Sequence, residues 1–112
     1  MFFLLYTYQP EPQLDYELIC IEHMVPDNHL LRHIQKHIDF SFITELVRPY
    51  YSQTHGRPSI LPVMLFKMLL IGYLYGIRSE RRSEQEINLN IAYRWFLGIG
   101  LSKKAPDHSE PE

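Results

Sequence analysis

The stretch from Pro62 to Ile77, PVMLFKMLLIGYLYGI, constrains the fold more than any other part of the chain. Its one charged residue is Lys67, and apolar residues fall on every side of a 3.6-residue helix. Pro62 suits the first turn, where its missing N–H is not needed, and Gly76 is a natural helix stop. A helix that is apolar all round is either the centre of a core or a membrane span. We expect the side of the helix that carries Lys67 to face water.

Length and charge decide between the two alternatives. A membrane span needs about 20 apolar residues, and this stretch reaches that length only if it is counted from Ile60 with Pro62 and Lys67 included. A lysine in mid-span costs roughly 2.5–3.5 kcal/mol on insertion scales. We therefore predict a central buried helix and no membrane partner, and a small membrane protein built on residues 60–77 is the alternative.

Composition predicts one small folded domain. The chain has 112 residues, 46% of them hydrophobic and 13% aromatic, which is typical of a folded chain. The single cysteine, Cys20, excludes an intramolecular disulfide and indicates a reducing, cytoplasmic location. The apolar N-terminus has no Lys or Arg before its apolar run and no small-residue cleavage site, so it is a poor signal peptide.

The net charge of −2 hides an asymmetry. Residues 1–61 carry a formal charge of −3, whereas residues 62–104 carry +4. Halves of opposite sign hint that the basic half faces a polyanion. The alternative is that the basic helix is an ordinary solvated surface.

Cap residues predict an all-α, small orthogonal domain of four to five helices around the central helix. We expect a leader over residues 1–26, the helical domain over 27–101, a loop over 52–61 and a tail over 102–112. The other predicted helices are His29 to Asp39 after Asp27 or Asn28, Phe42 to Val47 after Ser41, Glu80 to Asn88 after Ser79, and Ile91 to Leu97 between Asn90 and Gly98.

The central helix, a short turn and a polar helix with arginines resemble a helix-turn-helix. In that motif the second helix enters the major groove, where arginine can reach guanine O6 and N7. The alternative is a helical hairpin that binds nothing, in which Arg81 forms surface pairs with Glu84 or Glu86 that are worth little.

Three histidines, His29, His33 and His37, recur every four residues on one helix face. Two histidines at this spacing can bind zinc on a helix. No cysteine or acidic cluster is spaced to complete such a site, so we predict a polar helix flank and no metal.

The chain resembles the N-terminal domain of insertion-sequence transposases of the InsH-like type. The resemblance covers most of residues 27–109, and its most specific pieces are GYLYGIRSERR and AYRWFLG. The other matching pieces are DNHLLRHI, IDFSFITELVRPYYS, GRPSI and PDHS. The resemblance implies an all-helical domain that takes part in recognising the terminal repeats of the element.

In that family a ribonuclease H-like catalytic domain follows, with three acidic residues and divalent metal that cut and rejoin DNA. The resemblance implies that this chain stops before that domain, so we expect no enzymatic activity, no cofactor and no small-molecule substrate in this fragment. Asp107 and Glu110 are not taken as members of the acidic triad. Leu61, where the family has Asp, Ser83, where it has an apolar residue, and the short acidic end lead us to expect a truncated copy.

The leading function is therefore a DNA-binding module, with steep salt dependence because phosphate neutralisation releases counterions. The alternative is a module for self-association, or an inhibitor that mixes with full-length transposase. The predicted DNA contacts are Arg78, Arg81, Arg82, Gln85 and Arg94, with Lys103 and Lys104 on phosphates.

Overall fold

The computed structural model describes residues 11–50 and 61–106, and these ranges contain helices and no strand. The predicted all-α class is confirmed. The described helices are α1 (Leu30–His37), α2 (Ser41–Val47), α3 (Pro62–Tyr75), α4 (Glu80–Leu89) and α5 (Ile91–Leu97), with 3-10 turns at Ile21–His23 and Arg48–Tyr50. Nearly all of the predicted loop, the first part of the leader and the tail beyond residue 106 lie outside the described residues.

The caps of α4 and α5 confirm the predicted starts of both helices. The Ser79 hydroxyl oxygen accepts a hydrogen bond from the Arg82 backbone N–H at 3.0 Å. The Asn90 side-chain oxygen accepts one from the Tyr93 N–H at 3.0 Å. Each bond satisfies one of the amide groups that the first turn of a helix leaves without an internal partner. The sequence between residues 79 and 97 therefore fixes two consecutive helices by local chemistry.

The predicted caps of α1 and α2 were wrong. His29, rather than Asp27 or Asn28, precedes α1, and its Nδ1 accepts from the Leu31 N–H at 3.0 Å. Ser41 is the first residue of α2, and its N–H donates to the Asp39 carboxylate at 3.0 Å. The Asp39 carboxyl accepts this bond in its ionised form, which lowers its pKa.

The core combines one fully buried side chain from each of four helices. These are Leu31 of α1, Ile71 of α3, Ile87 of α4 and Phe96 of α5. Helix α5 packs against α1, α3, α4 and the turn at Ile21–His23, so it lies at the centre of these contacts. Helix α3 packs against α2 and α5. The arrangement holds α1 and α4 on the same supporting helix.

Helix α3 turns its charged side inwards, so the expectation that the Lys67 side faces water was wrong. Lys67 is 9% exposed. Four residues at four-residue intervals lie on the outside instead, and we call them the leucine–tyrosine stripe: Leu61, Leu65, Leu69 and Tyr73. Their exposures are 61%, 38%, 64% and 84%.

The buried Lys67 ammonium is stabilised by the end of α5. Its Nζ donates to the Phe96 backbone oxygen at 3.0 Å and to Gln35 Oε1 at 2.9 Å. The last carbonyls of a helix lack internal partners and carry the negative end of its dipole, so a cation is favoured there. The Nζ also lies 4.7 Å from the Phe96 ring centroid and 5.0 Å from that of Phe40. Burial still lowers the Lys67 pKa, because the neutral amine is easier to desolvate.

Two glycines end helices as predicted. Gly76 after α3 and Gly98 after α5 have φ of 70° and 77°, the left-handed region that a residue with a Cβ enters at a cost. Within the described ranges no helix has both the length and the apolar character to cross a bilayer.

Candidate nucleic-acid interface

Helix α4 presents opposite chemistries on its two sides. Ile87 is completely buried and anchors the helix in the core. Arg81, Arg82 and Gln85 are exposed. On a helix with 3.6 residues per turn, these three positions lie on the side away from Ile87. The structure therefore brings three of the predicted contact residues onto one outward face, which we call the α4 basic face.

The acidic residues of the same helix lie mainly elsewhere. Glu80 and Glu84 line a cleft of about 170 Å³ together with Leu65 and Leu69 of the leucine–tyrosine stripe. Residues 78–89 contain as many glutamates as arginines, so the total charge of the segment does not favour DNA. Arg82 and Gln85 face away from the cleft that these glutamates line, whereas Arg81 has Glu84 as its neighbour three residues on. Arg78 also lines the cleft and is exposed.

Arg82 has an ion-pair partner on its own helix. Its Nε lies 3.6 Å from the Glu86 carboxylate, with 68% and 41% of the two side chains exposed. An exposed pair four residues apart contributes a few tenths of a kcal/mol. A phosphate can therefore replace this partner at little cost.

Arg94 is buried, which argues against a direct contact between its side chain and DNA. It is 3% exposed, and its guanidinium donates to backbone carbonyls in α4 and in the segment that follows α5. One nitrogen donates to the Asn88 oxygen at 3.3 Å near the end of α4, and the other donates to Gly100 at 2.6 Å and also to Lys103. A guanidinium engaged in this way is not available to a ligand in this conformation.

Arg94 instead positions the lysine segment, residues 100–105. It joins the end of α4 to Gly100 and Lys103, and Asn88 Oδ1 adds a bond from the Ala105 N–H at 2.8 Å. Lys103 and Lys104 are exposed on this segment. Sequence reasoning missed this structural role, although an arginine inside the apolar helix IAYRWFL was a signal of a buried cation.

The turn between α3 and α4 has the length of a helix-turn-helix connection, but the packing differs from the simple expectation. Helix α4 packs against α5, and a cleft lies between its first turn and α3. The helix-turn-helix resemblance therefore stays a prediction.

A second polar cluster joins α1, α5 and the turn before α1. The Trp95 indole N–H donates to the Glu22 carboxylate at 2.6 Å, and the same carboxylate lies 2.9 Å from the Arg32 guanidinium. The Arg32 guanidinium also lies over the Trp95 ring, 4.5 Å from its centroid. The Trp95 and Arg32 hydrogen bonds lower the pKa of Glu22. We call these three residues the Glu22 cluster.

The three histidines of the sequence pattern do not gather further ligands among the described residues. No group of three or more histidine, cysteine or acidic side chains in residues 11–50 and 61–106 is placed to hold a metal ion. His29 uses its Nδ1 to cap α1.

The described residues form a small all-α domain built around α5. A family model described as Transposase domain (DUF772) matches residues 19–110. The chain belongs to this transposase domain family, which confirms the family resemblance drawn from the sequence. No curated protein and no solved structure matches the chain.

Proposed function

We propose that this domain binds DNA for a transposase and helps to recognise the terminal repeats of the element. The observation that carries the proposal is the α4 basic face, where Arg81, Arg82 and Gln85 are exposed opposite the buried Ile87. Membership of a transposase family supports DNA as the polyanion.

The dimensions of α4 suit the major groove. Its 10 residues form a rod about 15 Å long, and the groove is about 12 Å wide. Arginine forms bidentate bonds to guanine and glutamine to adenine, so Arg81 and Gln85 are suitable base readers. Arg78, which precedes the helix, and Arg82, which follows Arg81, contact phosphates in this arrangement.

The lysine segment extends the proposed contact beyond the helix. Arg94 and Asn88 hold its backbone against the end of α4. Lys103 and Lys104 therefore lie on a segment that is attached to the end of α4. Contacts to phosphates fix the orientation of a protein on DNA but carry no sequence information, and this is the role we assign to the two lysines.

Cleavage and joining of DNA belong, by the family resemblance, to an acidic catalytic domain with divalent metal. That assignment stays a prediction. We assign no chemical step to the described residues.

The test is fluorescence anisotropy with a labelled mixed-sequence duplex of about 30 base pairs, three helical turns. We expect binding at low salt that weakens steeply as salt rises, and loss of most of this binding in the double variant Arg81→Ala, Arg82→Ala. Arg48→Ala is the matched control, since Arg48 is an exposed arginine at the end of α2. Absence of binding at low salt, or equal binding by the double variant, would show that this surface is assigned incorrectly.

The leucine–tyrosine stripe favours a second candidate function, self-association. Its residues lie four apart, and three of them, Leu65, Leu69 and Tyr73, are centred on Leu69, close to the middle of α3. A two-fold axis at Leu69 would place Leu65 of one copy near Tyr73 of the other, as an isologous contact requires. Light scattering tests this candidate: a dimer that Leu69→Glu dissociates supports it, and a monomer at all concentrations contradicts it.

A further inference from the structure

The outer face of α1 carries a basic surface that the charge balance of the sequence conceals. The first 61 residues have a formal charge of −3, but α1 itself, LLRHIQKH, contains no acidic residue. Leu31 is completely buried and fixes the inner side of the helix. His33, Lys36 and His37 are exposed on the outside.

A groove of about 290 Å³ runs beside this surface between α1 and α5. Its lining includes His33, Lys36 and Trp95, and one carboxylate, Asp27. The groove thus combines an aromatic edge with basic side chains. Among its charged lining residues, Lys36 and Arg32 are cationic and Asp27 is anionic.

Two members of the Glu22 cluster, Arg32 and Trp95, line the groove. Arg32 is held by the Glu22 carboxylate and by the Val25 carbonyl at 3.0 Å, and it stacks on Trp95. Because Glu22 already neutralises Arg32, this guanidinium is not a free site for a second anion. Lys36, for which no ion pair is found among the described residues, is the principal cation left to bind one.

We infer that the α1 face binds the phosphate backbone of the same DNA that α4 contacts, with Lys36 as the central contact and His33 and His37 beside it. This inference rests on the proposed function. Helix α5 supports both surfaces, since α1 and α4 each pack against it. In this proposal one duplex contacts both faces, and two separate phosphate contacts fix the angle at which α4 meets the groove.

The salt dependence of binding provides the test. Each phosphate that is neutralised contributes about 0.9 to the slope of log affinity against log salt on B-DNA. We expect Lys36→Gln to lower this slope by about 0.9 with the mixed-sequence duplex. Between 50 and 200 mM salt the variant would then lose about 3.5-fold less affinity than the parent chain. Arg48→Gln, which removes an exposed positive charge at the end of α2, should leave the slope unchanged.

A cross-linking experiment locates the contact directly. Cys20 is the single cysteine and is exposed, so Cys20→Ser gives a background in which Lys36→Cys or Arg48→Cys carries a unique thiol. DNA with thiol-reactive groups on its phosphates should link to position 36 and not to position 48.

The outcomes separate this inference from the proposed function. One outcome is that the parent chain binds DNA, the double variant Arg81→Ala, Arg82→Ala does not, and Lys36→Gln leaves the slope unchanged. This outcome refutes the α1 contact, and the α4 assignment stands. An α1 face that binds an acidic protein segment would give this same result. If the parent chain binds no DNA, both fail.

Discussion

The replacement Arg94→Met tests whether this arginine is structural, as its burial indicates, or a DNA contact, as its position in the sequence suggested. Methionine keeps much of the length and apolar stem of the side chain but removes every hydrogen bond of the guanidinium. The carbonyls of Asn88, Gly100 and Lys103 then lose a donor. These carbonyls are partly buried, and a carbonyl that loses its donor away from water destabilises the folded state.

The size of the effect follows from these bonds. A buried acceptor left unpaired costs about 1–3 kcal/mol. The lysine segment lies near the surface and can open to water, which recovers part of this cost. We therefore expect Arg94→Met to lower the free energy of unfolding by about 2–4 kcal/mol. For a small domain with a total stability of about 5–15 kcal/mol, this is a large fraction.

Urea denaturation followed by circular dichroism measures this change. Arg81→Met is the matched control, because Arg81 is exposed on α4, and a surface substitution of this kind changes stability by about 0.5 kcal/mol or less. The two variants should behave in opposite ways: Arg94→Met loses stability, and Arg81→Met loses DNA affinity. If Arg94→Met loses less than about 1 kcal/mol while DNA binding falls, the positioning role is refuted.

Three further predictions concern Lys67, Glu22 and Ser79. Burial lowers the folded-state pKa of Lys67. Between that pKa and the ordinary lysine pKa the unfolded chain binds more protons than the folded chain, so stability rises with pH there. The stability of the parent chain relative to Lys67→Met, measured by urea denaturation, should therefore increase over this range, and a difference that stays constant with pH would contradict this. The Glu22 pKa is lowered mainly by the Trp95 N–H, so its stabilising contribution is present above the ordinary glutamate range and is lost as pH falls through the folded pKa. Trp95 is the single tryptophan, and its fluorescence should report that acid transition in the parent chain and not in Glu22→Gln, so identical titrations would refute the bond. Ser79→Ala removes the cap of α4 and should lower stability by about 1 kcal/mol in thermal unfolding, whereas no change would mean that the cap does not hold the helix.

Local chemistry in the sequence was sufficient to predict the helices after residue 61. Pro62, Gly76, Ser79, Asn90 and Gly98 mark their ends, and the structure confirms each of these assignments. Caps and left-handed glycines depend on neighbouring backbone groups alone, so they can be recognised without any knowledge of the tertiary fold. The start of α1 was predicted incorrectly because three consecutive residues, Asp27 to His29, can all accept a hydrogen bond from the first turn.

The burial of α3 could not be predicted in the same way. A helix with apolar residues on every side has no amphipathic phase, so the sequence does not indicate which side meets the core. The groups that accept hydrogen bonds from Lys67 decide which side of the helix is buried. The Phe96 carbonyl and Gln35 accept from Lys67, and both lie far from Lys67 in the sequence, so the usual preference of lysine for water was a misleading guide.

The candidate site shows the same limit. The sequence identified the basic residues near α4, but it did not distinguish the exposed Arg81 from the buried Arg94. Burial depends on how α4, α5 and the lysine segment meet, which involves carbonyl groups that every residue possesses. The basic face of α1 was missed because the charge was summed over a long acidic segment.

Binding of DNA by the α4 basic face is measured most directly as the affinity for the mixed-sequence duplex over a range of salt concentrations. The two proteins to compare are the parent chain and the double variant Arg81→Ala, Arg82→Ala. We expect tight binding at low salt, a steep decline as salt rises, and loss of most of the affinity in a variant that remains folded by circular dichroism. A folded double variant that binds the duplex as tightly as the parent chain, with the same salt dependence, would contradict it.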